Sequence, residues 1–146
     1  MNREADLSGT VNLHASCVAL NGRGLLIIGP SGSGKSALAL QLMASGAKLV
    51  SDDRTDVTRS NDRLIACSPA VLSGLIEARG VGILHAEPVA EAGLVLVVDL
   101  DREETERLPQ HRSLALLGVS IDLVYGSRST HFPAALLCYL LGGRRD

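Results

Sequence analysis

The sequence contains very few aromatic residues and few cysteines. Phe, Tyr and Trp make up 2% of the 146 residues, whereas hydrophobic residues as a whole make up 46%. The core must therefore be built from Ala, Val, Leu and Ile, which is typical of an α/β structure with a parallel or mixed sheet. The three cysteines, Cys17, Cys67 and Cys138, are widely spaced and show no metal-ligand spacing. This argues against a disulfide framework or a zinc site and favours reduced core thiols in a cytoplasmic protein.

The sequence also lacks an excess of charge and a long apolar run. Its 14 basic and 16 acidic residues are interspersed and give a net charge of −2, so we expect neither nucleic acid nor an anionic membrane as a partner. No apolar run is long enough to span a bilayer. The N-terminus carries acids before any apolar run and so lacks the form of a signal peptide. The length predicts a flexible segment over residues 1–10 and a single domain over residues 11–146.

One short segment has the pattern of a phosphate-binding loop. Apolar runs precede and follow it, so the order is strand, glycine-rich loop, helix. The glycines let consecutive backbone N–H groups turn toward a phosphate, and the helix start adds the positive end of its dipole. Lys35 can reach the terminal phosphates and Ser36 can hold a metal ion. A chance match is the alternative, but the flanks favour ATP and Mg²⁺ bound at Gly29, Pro30, Ser31, Gly32, Ser33, Gly34, Lys35, Ser36 and Ala37.

Hydrophobic periodicity and turn residues predict that strands and helices alternate along the chain. Strands are expected over residues 11–20, 25–28, 48–53 and 94–99 and within 114–125, with hairpin turns at Asn21-Gly22 and Asn61-Asp62. Helices are expected over residues 35–45, 68–76, 101–108 and 132–141.

Several charged side chains near the loop have two interpretations each. His14 lies in the strand before the first hairpin, and a lone strand histidine is more often structural than catalytic. Asp52 and Asp53 end a strand, where open α/β sheets bind ligands, although a solvated turn is the alternative. Neighbours along a strand point to opposite faces, so only one of this pair is expected to face the phosphates. Asp99 ends a buried apolar run, as in a Walker B strand, and competes with the pair for the metal.

Three further segments carry a resemblance to a known family. They are LHASCVAL, which contains His14, KLVSDD after the loop helix, and EARGVGIL from Glu77. Together with the loop, and in the same order over residues 11–100, they resemble the catalytic domain of bacterial HPr kinase/phosphorylase. The last is similar to that family's signature of Glu, a variable residue, Arg, Gly, an apolar residue, Gly and an apolar pair. The resemblance implies a P-loop fold of the PEP-carboxykinase-like type, with a mixed central sheet flanked by helices, and an ATP-dependent serine protein kinase.

The resemblance also implies a role for individual residues. Ser36 and Glu77 would ligate Mg²⁺, with Asp52 as a supporting carboxylate. Asp53 would accept the proton when ATP phosphorylates a serine of the phosphocarrier HPr. It would return a proton when inorganic phosphate attacks the phosphoserine to give pyrophosphate, because each direction is the reverse of the other. Active-site positions of the family are also matched by Lys35, His14 and Arg107.

In other places the sequence departs from the family pattern. The chain begins at the catalytic domain and so resembles short proteobacterial forms without the N-terminal domain. His85 stands where the signature continues with Asp or Asn, and residues 126–133 replace the segment tied to phosphorolysis. Arg128, in that segment, is an alternative to Arg107. The resemblance therefore implies the kinase activity more directly than the phosphorylase activity. It also implies a hexamer, with residues 77–85 and 126–133 as candidates for contacting the protein substrate.

Two other functions remain open from the sequence. A small-molecule P-loop kinase would share the loop, but such enzymes usually carry an arginine-rich lid and the arginines here are scattered. A catalytically weak ATP-binding regulatory module is the other alternative. The sequence lacks the base-recognition motif of a GTPase, which favours a kinase.

Overall fold

The chain folds as a mixed α/β structure around one curled sheet. The structure is a computed structural model that describes residues 9–69 and 73–145. Its strands are β1 (Thr10–Leu13), β2 (Ala15–Leu20), β3 (Arg23–Ile28), β4 (Lys48–Ser51), β5 (Thr55–Ser60), β6 (Arg63–Cys67), β7 (Leu75–Ala78), β8 (Gly82–His85), β9 (Glu91–Glu103), β10 (Arg112–Leu116) and β11 (Val119–Gly126). Its helices are α1 (Lys35–Ala44) and α2 (Phe132–Gly142). No helix among these residues has the length and hydropathy needed to cross a bilayer.

The sheet branches at β9. Its strand order is β1-β5-β6-β9-β3-β2-β4, and β11 joins β9 while pairing with β10. Residues 91–93 of β9 pair antiparallel with β6, whereas residues 93–99 pair parallel with β3 and residues 96–103 parallel with β11. β7 and β8 form a separate two-stranded hairpin. The long strand β9 therefore joins β3, which leads into the glycine-rich loop, to β6 and β11.

Each face of the sheet has its own apolar core. Leu25 and Ile27 of β3 pack with the side chains of α1 and α2. Leu26 points to the other face, where it packs with side chains of β5, β6 and β11. This alternation follows from the two-residue repeat of a strand. Both faces are buried here, which explains why residues 24–28 of β3 and 92–98 of β9 contain no polar side chain. Within residues 9–69 and 73–145, the buried hydrophobic side chains are all aliphatic except Cys17, which confirms the prediction from composition.

Turn chemistry fixes the local structure as predicted. Asn21 and Gly22 both have positive φ values, 53° and 77°, which suits the two-residue turn joining β2 to β3. Asn61 has φ 56° in the turn between β5 and β6. The predicted helices over residues 35–45 and 132–141 are confirmed as α1 and α2 to within one residue at each end.

Two predicted elements differ because backbone pairing overrides local sequence preference. Residues 11–20 form two strands rather than one, because the extended backbone is interrupted at His14. β1 pairs with β5, whereas β2 pairs with β3 and β4. The predicted helix over residues 101–108 is wrong. Residues 101–103 extend β9 alongside β11, where Glu103 pairs with Gly126, and residues 104–108 are not helical.

Three smaller predictions are limited or corrected by the structure. The helix expected over residues 68–76 falls partly on residues 70–72, outside the described residues, and Leu75 and Ile76 belong to β7. The flexible segment expected over residues 1–10 lies mostly outside them too, and Thr10 already belongs to β1. The prediction of core thiols is wrong for Cys138, which is exposed.

Candidate active site

The phosphate-binding loop lies between β3 and α1. Gly29 leaves β3 with φ 149°, and a Cβ atom there would lie 2.6 Å from Ser33 Oγ, so the turn requires glycine at this position. Lys35 is nearly buried, and its ammonium donates to the carbonyls of Gly29 at 2.9 Å and Pro30 at 3.1 Å. The first amides of α1 have no partner within the helix. The loop therefore presents a lysine and a helix N-terminus to the same space, as an anion site requires.

Asp52 is a buried carboxylate that ties three elements together. Its Oδ1 accepts hydrogen bonds from Ser16 Oγ of β2 at 2.8 Å and Ser36 Oγ of α1 at 2.7 Å. Its Oδ2 accepts the backbone N–H of Glu77 in β7 at 3.1 Å. A buried carboxylate needs such donors, because an unpaired one carries a large desolvation cost. Asp52 thus joins the end of the phosphate loop to the sheet and to the β7–β8 hairpin.

Asp53 has a left-handed backbone that reverses the direction of its side chain. Its φ is 68°, a conformation that aspartate tolerates better than most residues. Its N–H donates to Ser16 Oγ at 3.2 Å, and its Oδ1 lies 2.8 Å from His14 Nε2. Asp53 lines the cleft beside the loop while Asp52 bonds Ser36. Of the two acids only Asp53 lines the cleft within the described residues, in keeping with the expectation that one of them faces the phosphates. Both acids lie beyond the end of β4 at Ser51, so the left-handed backbone of Asp53, rather than strand alternation, separates their directions.

The cleft beside the loop has a volume of about 490 Å³. It brings together most of the residues that the sequence indicated, and it adds Arg79, Leu40, Ala78 and Val81. Its full lining is His14, Ser31, Gly32, Gly34, Lys35, Ser36, Ala37, Leu40, Asp53, Glu77, Ala78, Arg79 and Val81. Sequence alone could have found Arg79 from its place in the family signature, whereas Leu40 gave no signal beyond helix burial.

The cleft is not lined by the buried Asp52, nor by three other residues considered for chemistry. Arg107 is exposed in the segment between β9 and β10. Arg128 is almost fully exposed and pairs with Glu103 at 2.9 Å. Asp99 Oδ1 accepts the backbone N–H of Asp101 at 2.9 Å, so its carboxylate bonds within its own strand. The structure therefore brings Asp52 rather than Asp99 to the loop serine.

The oxygen donors at the cleft fit a magnesium ion shared with phosphates. Ser36 and Asp52 are in hydrogen-bond contact, and the Glu77 side chain lines the same cleft. Hydroxyl and carboxylate oxygens are hard ligands of the kind that Mg²⁺ prefers. The described residues contain no group of three or more His, Cys, Asp or Glu that could hold a metal by itself.

The β7–β8 hairpin projects from the rim of the cleft. Glu77 and Arg79 line the cleft, whereas the far part of the hairpin exposes apolar side chains. Val81 is 76% exposed and Ile83 is 69% exposed. Exposed apolar residues grouped beside a polar cleft are a common feature of protein contact sites.

Comparisons with known proteins agree on one family. A family model described as HPr Serine kinase C-terminal domain matches residues 5–122. An HPr kinase/phosphorylase of Clostridium tetani is 42% identical over 94 residues, which cover 64% of this chain and 30% of that protein. One of Listeria welshimeri is 39% identical over 93 residues, 63% of this chain and 30% of that protein. The aligned part of the chain thus spans about 30% of the length of these curated relatives.

A solved structure shows the same fold. The structure of the Hpr(Ser) kinase/phosphatase from Coxiella burnetii matches with a TM-score of 0.72 and 26% sequence identity. The match covers 86% of this chain and 91% of that chain. The mixed α/β architecture with its curled sheet is therefore shared with that protein.

Proposed function

The chain belongs to the HPr serine kinase C-terminal domain family, and from this we propose that it is an ATP-dependent serine protein kinase acting on HPr or an HPr-like phosphocarrier of the phosphotransferase system. One observation carries the proposal. The carboxylate of Asp53, in contact with His14, lines the same cleft as Lys35 and the phosphate loop. A phosphate site and a base are the two parts that transfer to a hydroxyl requires. We also assign the chain to the P-loop, PEP-carboxykinase-like type of fold, in keeping with the strand, loop and helix order of β3 and α1.

The loop and Lys35 would bind and neutralise the phosphates of ATP. The ammonium of Lys35 already lies at the loop, held by two carbonyls, so phosphate oxygens would find it in place. Ser36, Asp52 and Glu77 would hold Mg²⁺, which when bound neutralises charge on the β- and γ-phosphates. The buried bonds of Asp52 keep Ser36 and the β7–β8 hairpin in fixed positions around the phosphates.

Asp53 would act on the proton of the acceptor serine. In the forward direction its carboxylate accepts the hydroxyl proton while the serine oxygen bonds to the γ-phosphorus and the bond to ADP breaks. In the reverse direction, inorganic phosphate attacks the phosphoserine, the bond between phosphorus and the serine oxygen breaks, and Asp53 returns the proton, which leaves serine and pyrophosphate. His14 orients the carboxylate through its 2.8 Å contact. General acid–base catalysis of this kind typically contributes about 10²- to 10⁴-fold in rate.

The proposal includes partners and an assembly. The exposed tip of the β7–β8 hairpin, next to the cleft, is the best-placed surface to contact the carrier protein, and residues 126–133 are a second candidate. We further propose the hexamer and the cytoplasmic location that the family resemblance implies. Arg107 and Arg128 remain candidates for a catalytic arginine only if a further conformation brings one of them to the cleft. In the present arrangement Arg79 is the better placed arginine.

A transfer assay tests the proposal directly. The protein is incubated with γ-labelled ATP, Mg²⁺ and HPr, and the label is expected on a serine of HPr in the wild type and to be nearly lost in Asp53→Asn. Label transfer that Asp53→Asn does not change would contradict the assignment of the base. A second assay measures pyrophosphate formed from phosphoserine-HPr and inorganic phosphate, and no pyrophosphate would remove the reverse reaction from the proposal.

The same assays separate the alternative functions. Turnover of a metabolite faster than of any carrier would favour a small-molecule kinase, although Arg79 is the only arginine lining the cleft within the described residues. ATP binding without transfer to any carrier would favour a regulatory module.

A further inference from the structure

Ser16 is a buried polar residue in an otherwise apolar strand. It is fully buried in β2, and its neighbours Ala15, Cys17 and Val18 are buried apolar residues. Burying a hydroxyl without partners costs free energy that an alanine at the same position would avoid. The partners of Ser16 therefore indicate why a hydroxyl is present there.

The side chain of Ser16 has two hydrogen bonds, one to the buried Asp52 and one to Asp53, which lines the cleft. Its Oγ donates to Asp52 Oδ1 at 2.8 Å and accepts the backbone N–H of Asp53 at 3.2 Å. A hydroxyl has one proton to donate and lone pairs to accept, so this single group is bonded to both residues at once. Within the described residues no other side chain has hydrogen bonds to both Asp52 and Asp53.

The hydrogen bond from the Asp53 N–H to Ser16 lies at a residue with an unfavourable backbone conformation. Asp53 has φ 68°, and a left-handed conformation is unfavourable for an L-residue, though less so for aspartate than for most. An acceptor for the Asp53 N–H at this point favours the turn that directs the carboxylate to His14 and the cleft. The first bond holds Asp52 against Ser36 of the loop helix.

We infer that Ser16 is a positioning residue that fixes the Asp52 and Asp53 carboxylates relative to each other, and thereby sets the rate of transfer. Ser16 does not line the cleft, so it acts only through the two aspartates. The kinetic part of the inference rests on the proposed function, and the geometric part does not.

The kinetic test compares Ser16→Ala with a matched control. Thr55→Val also removes a fully buried hydroxyl beside β2. The Thr55 hydroxyl donates to the Ala15 carbonyl at 2.9 Å and has no hydrogen bond to either aspartate in the described part of the chain. We expect Ser16→Ala to lower kcat by roughly 10- to 100-fold, the size that a misplaced catalytic group produces, with KM for ATP changed by less than about threefold. Thr55→Val is expected to lose similar thermal stability and to keep kcat within about threefold of the wild type. Equal loss of kcat in both variants, or wild-type kcat in Ser16→Ala, would overturn the inference.

A second measurement does not depend on the carrier. The backbone amide of Asp53 is followed by hydrogen exchange in the folded protein, where loss of its acceptor in Ser16→Ala should speed exchange by about tenfold or more, whereas Thr55→Val should not. If the wild type transfers no phosphate to any carrier, the proposed function fails and this measurement alone decides on Ser16. Unchanged protection of the Asp53 amide in Ser16→Ala would then reject the positioning role.

Discussion

The two ends of strand β3 carry clefts of similar size but different chemistry. At its C-terminal end lies the cleft of about 490 Å³ beside the phosphate loop. At its N-terminal end lies a groove of about 550 Å³ between the sheet and the end of α2, whose lining includes Arg23, Arg63, Asp122 and Tyr139. Both are polar, and the groove is slightly the larger. Size and charge alone would not distinguish them.

The clefts differ in what their polar groups contact. In the groove, Arg23 donates to the carbonyl of Leu140 at the end of α2, and the Tyr139 hydroxyl donates to Asp122 at 2.8 Å. These contacts join the last turn of α2 to the sheet. At the loop, Lys35 is held by the Gly29 and Pro30 carbonyls and Asp53 by His14, and both line the cleft together with the start of α1. The combination of a lysine, a carboxylate and a helix N-terminus in one lining, rather than volume, thus distinguishes the candidate site.

The largest expected difference in activity between the two ends of β3 comes from a substitution of Asp53. Asparagine tolerates the left-handed backbone, so Asp53→Asn should fold normally while losing the base. We expect the rate of phosphate transfer to fall by about two to four orders of magnitude, measured as initial rates at saturating ATP and HPr. Asp122→Asn, in the groove, is the matched control and should leave the rate within about threefold. A similar loss in both variants would mean that the carboxylate effect is not local to the cleft.

Lys35→Ala is expected to give the next largest effect. Removing the ammonium from the loop eliminates its charge-assisted bonds to the phosphates, and ATP affinity measured by calorimetry should fall by roughly 10- to 100-fold, which corresponds to about 1.4–3 kcal/mol. Arg63→Ala at the groove is the control, since it removes a cation of β6 that lies outside the cleft. Unchanged ATP affinity in Lys35→Ala would contradict the assignment of the loop.

A smaller effect is expected from the hairpin beside the cleft. Ile83 is an exposed apolar residue that does not line the cleft, and Ile83→Ser should raise KM for HPr by roughly 3- to 10-fold while KM for ATP stays the same, because apolar burial at the contact is lost. Leu108→Ser is the control, since Leu108 is 79% exposed and does not line the cleft. If all the variants keep the wild-type KM for HPr, the carrier docks elsewhere.

The smallest effect is expected at the groove and concerns stability alone. Burial and the bond to Asp122 raise the pKa of Tyr139 from 10.0 to about 12. Between these values the unfolded chain has lost the proton that the folded chain keeps, so this tyrosine's contribution to stability should fall as the pH rises from 10 to 12. Denaturant unfolding of wild type and Tyr139→Phe at pH 9 and 11 measures it. We expect the free energy of unfolding to fall more between pH 9 and 11 in the wild type than in Tyr139→Phe. An equal fall in both proteins would reject the raised pKa of Tyr139.

Much of the fold could be predicted because its signals are local. Asn21-Gly22 and Asn61-Asp62 specify their turns by backbone preference, and the glycine-rich loop specifies strand, turn and helix together. The helix predicted over residues 101–108 failed for the opposite reason. Its charged residues favour a helix in isolation, but pairing of β9 with β11 supplies the backbone partners of residues 101–103. Arg112, 4.1 Å from the centre of the Tyr125 ring, shows that charged residues of this region are also held by contacts distant in sequence.

The residues of the candidate site could be predicted from the sequence, but the hydrogen bonds that position them could not. Lys35, Ser36 and the two aspartates carry a pattern that sequence can show. The left-handed turn at Asp53, which directs this carboxylate to the cleft while Asp52 is buried against Ser36, depends on where β4 ends against β2. Ser16 gives no signal in sequence, because a serine within an apolar strand reveals nothing of the partners that the fold places beside it.

The branching of the sheet at β9 also has a consequence for how the molecule is made. β3 cannot complete its pairing until residues 93–99 have been synthesised, since Leu25 pairs with Leu96 and Ile28 with Asp99. Until then a newly made chain carries the phosphate loop on an unpaired strand edge, and exposed edges of this kind promote aggregation. Ribosome-bound chains that stop before residue 91 should thus be sensitive to proteolysis throughout, whereas those extending past residue 126 should acquire protection in one cooperative step.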